Sequence, residues 1–405
     1  MSASMPVERS DPARTSRPRA RAAVLQTLIE DGAVSRADLA RRTGLAPSTV
    51  SVVVADLAAD GVLVEAARAA PAGGATVGRP STLLALHRRA GLAVGIDFGK
   101  RHVRVAVADL AHTVLAERRR EVEGDLPASE AVAIGAELVQ AALSDAAGSR
   151  GEVVGVGMGL PGPINDVTGE LGDSMILPGW AGVRPAEAMS GALGLPVDVG
   201  NDANLGAMSE WRWGAGRGAG DLVYVKVATG VGAGMILGGV PYRGWGGTAG
   251  ELGHVVIEPR GSICRCGNRG CLETIAGAPA ILGALRDTHG DGLTIGEAVR
   301  RAAQGDAGCR RAIADAGTAI GTAAAAICNL LNPRRIVVGG DVAAAGEVLL
   351  APLRTALARA SIRSAARDAE VVEGALADRA EVLGAVALVL QRGADLVPAP
   401  LARSA

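Results

Sequence analysis

The sequence predicts an α/β chain in two parts: a winged helix-turn-helix over residues 19–90, then a two-lobed body over 91–395. Three observations predict it. Three short helical patterns precede two strand patterns joined by a thin Gly/Pro-flanked tip, all before residue 90. Glycine turns follow apolar strands at Asp97-Phe98-Gly99 and again, about 130 residues later, at Thr229-Gly230-Val231-Gly232. Between Glu251 and Glu273 stand His254 and three of the five cysteines, Cys264, Cys266 and Cys271.

Taken in order, residues 1–18 are rich in Ser, Pro and Arg and read as a disordered tail. From Arg19, the spacing of Val24, Leu25, Leu28 and Ile29 predicts an amphipathic helix ending near Gly32. Ser35 suits the N-cap of a second helix that Gly44 ends. Pro47 opens a third, buried through Val50, Val53, Val54 and Leu57. Val62–Val64 and Leu83–Leu86 read as the strands of a wing whose tip carries Arg79. In such a module the third helix enters the major groove. Ser48, Thr49 and Ser51 then face bases or phosphates, Arg41 and Arg42 clamp phosphates, and Arg79 reaches the minor groove. A three-helix protein-interaction module is the competing reading.

In the body, Leu92–Phe98, Val103–Ala108, Val114–Glu117 and Val153–Leu160 read as strands, with a helix over 129–146. Trp180 reads as packing. Asp202, in Asn201-Asp202-Ala203-Asn204 at a strand end, suits a general base facing a cleft. It equally suits the cap of a helix starting at Ala203. Leu222–Val227 and Arg335–Gly339 read as strands. Thr318–Leu331 reads as a buried helix, Cys309 and Cys328 as core thiols, and Glu381–Gln391 as a closing helix before a mobile tail at 396–405.

Three thiolates and one imidazole make a four-ligand set suited to a closed tetrahedral Zn²⁺ site. Gly267 and Gly270 let that loop fold back on itself. Glu251 and Glu273, which bracket the cluster, are free to accept hydrogen bonds from a polyol in a cleft.

Composition bounds the rest. The chain has 405 residues, 49 % of them hydrophobic, enough for two or three domains. Lysine occurs only at Lys100 and Lys226, and arginine carries the positive charge. Residues 1–90 hold 12 Arg against 8 Asp and Glu, and the remainder 29 Lys and Arg against 34. A basic head on an acidic body is compatible with nucleic-acid binding. The polar, Pro-containing start lacks an apolar segment, and the apolar run Ala319–Leu331 is too short to span a bilayer, so the expectation is a cytoplasmic protein without a membrane partner.

The stretch from Glu251-Leu252-Gly253-His254 to Cys264-Arg265-Cys266-Gly267-Asn268-Arg269-Gly270-Cys271-Leu272-Glu273 resembles the signature of the ROK family of repressors, open reading frames and sugar kinases. The resemblance covers about residues 91–391. It implies an actin-like (ribonuclease H-like) sugar-kinase fold, with lobe one over about 91–200 plus 375–395 and lobe two over about 201–374. It implies His254, Cys264, Cys266 and Cys271 as zinc ligands, and Asn201, Asp202, Glu251, His254 and Glu273 as sugar contacts. Asp202 would be the catalytic base wherever kinase activity is kept. Asp97, Gly99, Thr229, Gly230, Gly232, Gly339 and Gly340 would stand on the nucleotide side, with ATP and Mg²⁺ required only for a kinase. Two departures bear on that. Lys100 and Arg101 replace the small residues of the family pattern Asp-x-Gly-Gly-Thr and crowd a phosphate turn. Ile176 stands where sugar-phosphorylating members usually carry Asn.

The expected function is therefore a sugar-responsive transcriptional regulator, a repressor of carbohydrate genes, with a sugar or sugar phosphate as effector. Two heads reading an inverted-repeat operator in double-stranded DNA require a homodimer or homotetramer. The alternative is an ATP-dependent, glucokinase-like sugar kinase.

Overall fold

The computed structural model describes residues 12–66, 82–87, 90–165, 168–172 and 176–392. The head comprises α1 (Pro12–Asp31), β1 (Val34–Ser35), α2 (Arg36–Thr43), α3 (Pro47–Ala59), β2 (Leu63–Ala66) and β3 (Leu83–Leu86). Ser35 caps α2 with a full capping box: its Oγ accepts from Asp38 N, and the Asp38 carboxylate accepts from Ser35 N. Gly44, at φ +68°, ends α2 in the left-handed conformation that glycine tolerates.

Two features differ from the sequence expectation. The first helix starts at Pro12, so residues 12–18 are helical rather than a disordered tail, with Arg17 paired to Asp56 on α3. The wing sheet has three strands, ordered β1-β3-β2, because Val34–Ser35 pairs antiparallel with β3. The wing tip with Arg79, residues 1–11 and the tail beyond 392 lie outside the described residues.

The first body sheet contains β4 (Leu92–Phe98), β5 (His102–Asp109), β6 (Val114–Glu121), β7 (Val153–Leu160) and β8 (Val197–Asn201), with α4 (Ala128–Asp145) and α5 (Pro185–Leu193) beside it. The second half runs through α6 (Asp202–Trp213), β9 (Leu222–Val227), β10 (Val231–Leu237), β11 (Val240–Tyr242), α7 (Glu273–Ala276), α8 (Ala278–His289) and α9 (Ile295–Ala303). It continues through α10 (Ala307–Leu331), β12 (Arg335–Gly339), α11 (Glu347–Ala360), α12 (Arg363–Asp368) and β13 (Glu370–Glu373), and α13 (Ala380–Leu390) closes it.

The two five-stranded sheets are ordered β6-β5-β4-β7-β8 and β11-β10-β9-β12-β13. Each is an antiparallel meander extended by two parallel strands, so one topology occurs twice. Parallel strands are apolar along their length, as β4 shows by being buried at every residue. Helices α13 and α6 lie against each other between the sheets: α13 on β4 and β7, α6 on β9 and β10. That approach demands glycine. A Cβ on Gly157 would stand 1.9 Å from Ala385 O, and one on Gly384 would stand 2.0 Å from Leu205 O.

Helix α10 begins at Ala307, well before Thr318, and runs 25 residues. It is therefore long and apolar enough, by composition, to cross a membrane, contrary to the short run read from sequence. It packs instead among α7, α8, α9 and α11 in the core of the second half.

The head is docked on the body. Head residues Val24, Leu28 and Leu39 share one apolar cluster with Val382, Val386 and Leu390 of α13, and Arg212 of α6 donates to Ile29 O at 3.0 Å.

Candidate functional site

A cavity of about 130 Å³ opens between the two sheets, and the N-terminal ends of α6 and α13 both reach it. Strand β8 ends at Asn201, whose Oδ1 accepts from Asn204 N and caps α6. The cap is thus Asn201, not Asp202. Asn201 also donates to Gly162 O at 3.0 Å, leaving one amide N–H for a ligand.

Asp202 is the first residue of α6. Its Oδ1 accepts from Ala203 N (2.8 Å) and its Oδ2 from Lys226 Nζ (2.9 Å). Lys226 also stands 3.2 Å from Glu381 Oε1 at the start of α13. Burial works against its charge, but Asp202, Glu381 and Asp97 outweigh it and hold the ammonium well above the usual lysine range. Burial pushes the Glu381 carboxyl up, with Asp97 and Asp202 adding to it and Lys226 opposing. Asp97, 2 % exposed, is opposed by burial yet held below the carboxylate range by His102 at 2.8 Å, Lys226 and Arg104.

The predicted sugar-side residues meet here. Asn201, Asp202, Glu251, His254 and Glu273 all line the cavity. Glu273 Oε2 is engaged by Arg265 Nη2 at 2.6 Å and by Val231 N at 3.3 Å. Ile176 forms an apolar wall and Trp180 packs edge-on against Phe98, 5.6 Å between centroids. Of the nucleotide-side residues, Gly99, Thr229, Gly230, Gly232 and Gly340 line the same cavity, together with Lys100 and Arg101. Asp97 and Gly339 lie outside its lining, and Gly339 packs under Tyr224. Arg101 reaches across the mouth to Asp341, 3.8 Å away.

Beside the cavity, His254, Cys264, Cys266 and Cys271 bring four donor atoms within 4.8 Å of one another. Cys264 Sγ is 3.6 Å from His254 Nδ1, and Cys266 Sγ is 3.7 Å from Cys271 Sγ. Tetrahedral zinc, with bonds of about 2.0–2.3 Å, spaces its ligands by roughly 3.5–3.8 Å. Burial and the neighbouring sulfurs push the Cys271 thiol up to about 12, so three thiolates coexist there only around a cation. His254 turns Nδ1 to the thiols and Nε2 toward Glu251 Oε2 at 3.8 Å, joining cluster and cavity.

On the head, Ser48 and Ser51 are exposed on α3, as are Arg41 and Arg42 at the end of α2, and Thr49 is half-buried. Ser51 Oγ donates to Pro47 O, and Arg41 pairs with Asp38. Val52, 51 % exposed on the same helix, was not singled out in the sequence and suits a thymine methyl.

Lys226, His102, Arg265 and Glu381 were also missed. Lys226 did leave a signal, being one of only two lysines and standing inside the apolar strand Val223-Tyr224-Val225-Lys226-Val227.

The profile of the ROK family matches residues 93–392, about three quarters of the chain. The chain belongs to the ROK family. A winged helix-turn-helix DNA-binding profile matches residues 20–64. The xylose repressor of Caldicellulosiruptor bescii is 28 % identical over 382 residues, 91 % of this chain and 94 % of the repressor. A ROK family transcriptional regulator, a homologue of the Escherichia coli MLC protein, superposes with a TM-score of 0.75 at 25 % identity, over 95 % of this chain and 98 % of its own. A ROK family glucokinase from Streptomyces griseus, in complex with glucose and AMPPNP, superposes with a TM-score of 0.64 at 28 % identity, over 74 % of this chain and all of its own. This ROK chain thus combines a winged helix-turn-helix with an actin-like sugar-kinase body.

Proposed function

We propose that the chain is a sugar-responsive, DNA-binding repressor of carbohydrate genes, cytoplasmic, whose kinase-like body holds a sugar or sugar phosphate as effector. Similarity to repressors across head and body supports the regulator reading. The observation that carries sensor over kinase is Lys226 on Asp202. The Lys226 ammonium pairs with Oδ2 at 2.9 Å, so taking up a proton at Asp202 would break that ion pair, whereas a sugar hydroxyl can still donate to a remaining lone pair. Lys100 and Arg101 further crowd the turn a nucleotide phosphate would approach.

In this reading Asn201, Asp202, Glu251, His254 and Glu273 receive the sugar hydroxyls. His254, Cys264, Cys266 and Cys271 hold a structural zinc that fixes the loop presenting His254 and Glu273. Helix α3 enters the major groove with Ser48, Thr49 and Ser51. Arg41 and Arg42 contact phosphates, and Arg79 of the wing reaches the minor groove. A homodimer or homotetramer places two heads on an inverted repeat.

The second reading, an ATP-dependent sugar kinase with Asp202 as base, is favoured by the Thr229–Gly232 turn lining the same cavity and by the glucokinase likeness. The deciding experiment takes the full-length protein through a panel of monosaccharides and their phosphates, reading operator binding and ATP turnover together, with D202A as control. The expected result is operator release by one sugar class and no turnover above D202A. Sugar-dependent turnover that disappears in D202A would sink the sensor reading.

A further inference from the structure

Away from the cleft, His289 at the end of α8 meets Asp306 and Cys309 at the start of α10. His289 Nε2 stands 3.0 Å from Asp306 Oδ2 and 3.8 Å from Cys309 Sγ, and the three donor atoms lie within 4.8 Å of one another. Thr288 Oγ1 holds the ring at Nδ1, 2.7 Å away, and so turns Nε2 toward the carboxylate and the thiol.

Cys309 is fully buried, with its sulfur close to both the imidazole and the carboxylate. The other two donors are also held by outer contacts, as metal ligands usually are. Thr288 Oγ1 holds the His289 ring at Nδ1, and Cys309 N donates to Asp306 Oδ1 at 2.8 Å, leaving Oδ2 for the shared point.

We infer that His289, Asp306 and Cys309 form a second divalent-metal site, zinc by its N/O/S donor set, with one coordination position left for water. The ion joins the end of α8 to the start of α10. It is independent of the His254–Cys271 cluster, since neither site uses a ligand of the other.

The test is zinc stoichiometry on the full-length protein, stripped with chelator under reductant, reloaded with Zn²⁺ and freed of excess. Wild type is expected to hold two zinc ions per chain. H289Q and D306N should each hold one, as should C264S/C266S. D306N keeps the helix cap, because an Asn oxygen can still accept from Cys309 N, so loss of one ion there is not loss of fold. One zinc in wild type that H289Q and D306N leave in place, but C264S/C266S removes, would overturn the second site and leave His289 as a hydrogen-bond partner of Asp306 alone. One zinc that C264S/C266S retains and H289Q loses would support this site and sink the first.

Discussion

Lys226 is a single cation set among carboxylates that the fold brings from α6, α13 and β4. Replacing it by Met leaves Asp202 and Glu381 facing each other without compensation. Breaking a buried ion pair from one side costs about 3–5 kcal/mol. Lys226 keeps 18 % of its side-chain exposure at the cleft, so the lower end applies. Urea unfolding of K226M should show a loss of about 3 kcal/mol, and a loss near zero would mean Lys226 does not neutralise Asp202 and Glu381 in the folded protein. Asp97 carries the acid side of the same network. Its folded pKa is depressed by His102, Lys226 and Arg104 despite burial. Its contribution is therefore present above the unfolded value and lost as pH falls through the folded one. Stability should decline below about pH 4, and D97N should flatten that limb. An unchanged acid limb in D97N would assign the decline to other carboxylates. Asp97 and Asp202 were legible as motif residues, whereas Glu381 and the counter-ion it shares with them were not, because Asp202 and Glu381 lie far apart in sequence.

At the scale of elements, the site depends on how closely α6 and α13 approach. Asp202 opens one helix and Glu381 the other, and Gly384 lets them touch. A methyl at Gly384 would meet Leu205 O at 2.0 Å, closer than any Cβ contact tolerates. G384A should destabilise by about 1–3 kcal/mol, as overpacking does. Because the strain falls beside Asp202 and Glu381, it should also weaken sugar binding. Calorimetric binding left at wild-type strength in folded G384A would separate helix spacing from the site. Most elements were legible from local signals: Ser35 and Gly44 bounding α2, Pro47 opening α3, and unbroken apolar runs for β4 and β7. The misses have local causes too. Asn201, extended at φ −65° and ψ 141°, takes the cap one residue before Asp202. Strand β1 has two residues, too few to show a period, and forms only because β3 passes beside it.

For the whole molecule, α6 and α13 both run from the interlobe cavity to the DNA-binding head. Helix α6 starts at Asp202 and carries Arg212, which donates to Ile29 O of α1. Helix α13 starts beside Lys226 and ends in the apolar cluster shared with the head. A ligand that favours one lobe arrangement can therefore bias the head through two rigid rods, to the extent of its differential affinity for the two arrangements. R212A should keep operator affinity while shrinking the sugar-induced change in that affinity several-fold, out of the roughly 5–150-fold range typical of coupled sites. Operator titrations with and without sugar measure this. An undiminished sugar response in R212A would place the coupling elsewhere.

By itself the sequence determined the two-part α/β organisation, the helix and strand types, and the cluster of His254 with Cys264, Cys266 and Cys271. These follow from signals within a few residues of each other: a period, a cap, a tight ligand spacing. Only the tertiary structure decided that Lys226 occupies Asp202, that His289 faces Cys309 across two helices, and that the head is seated on α6 and α13. Those are contacts between distant segments. Their energies come from charges and apolar surfaces that meet only after the chain has folded.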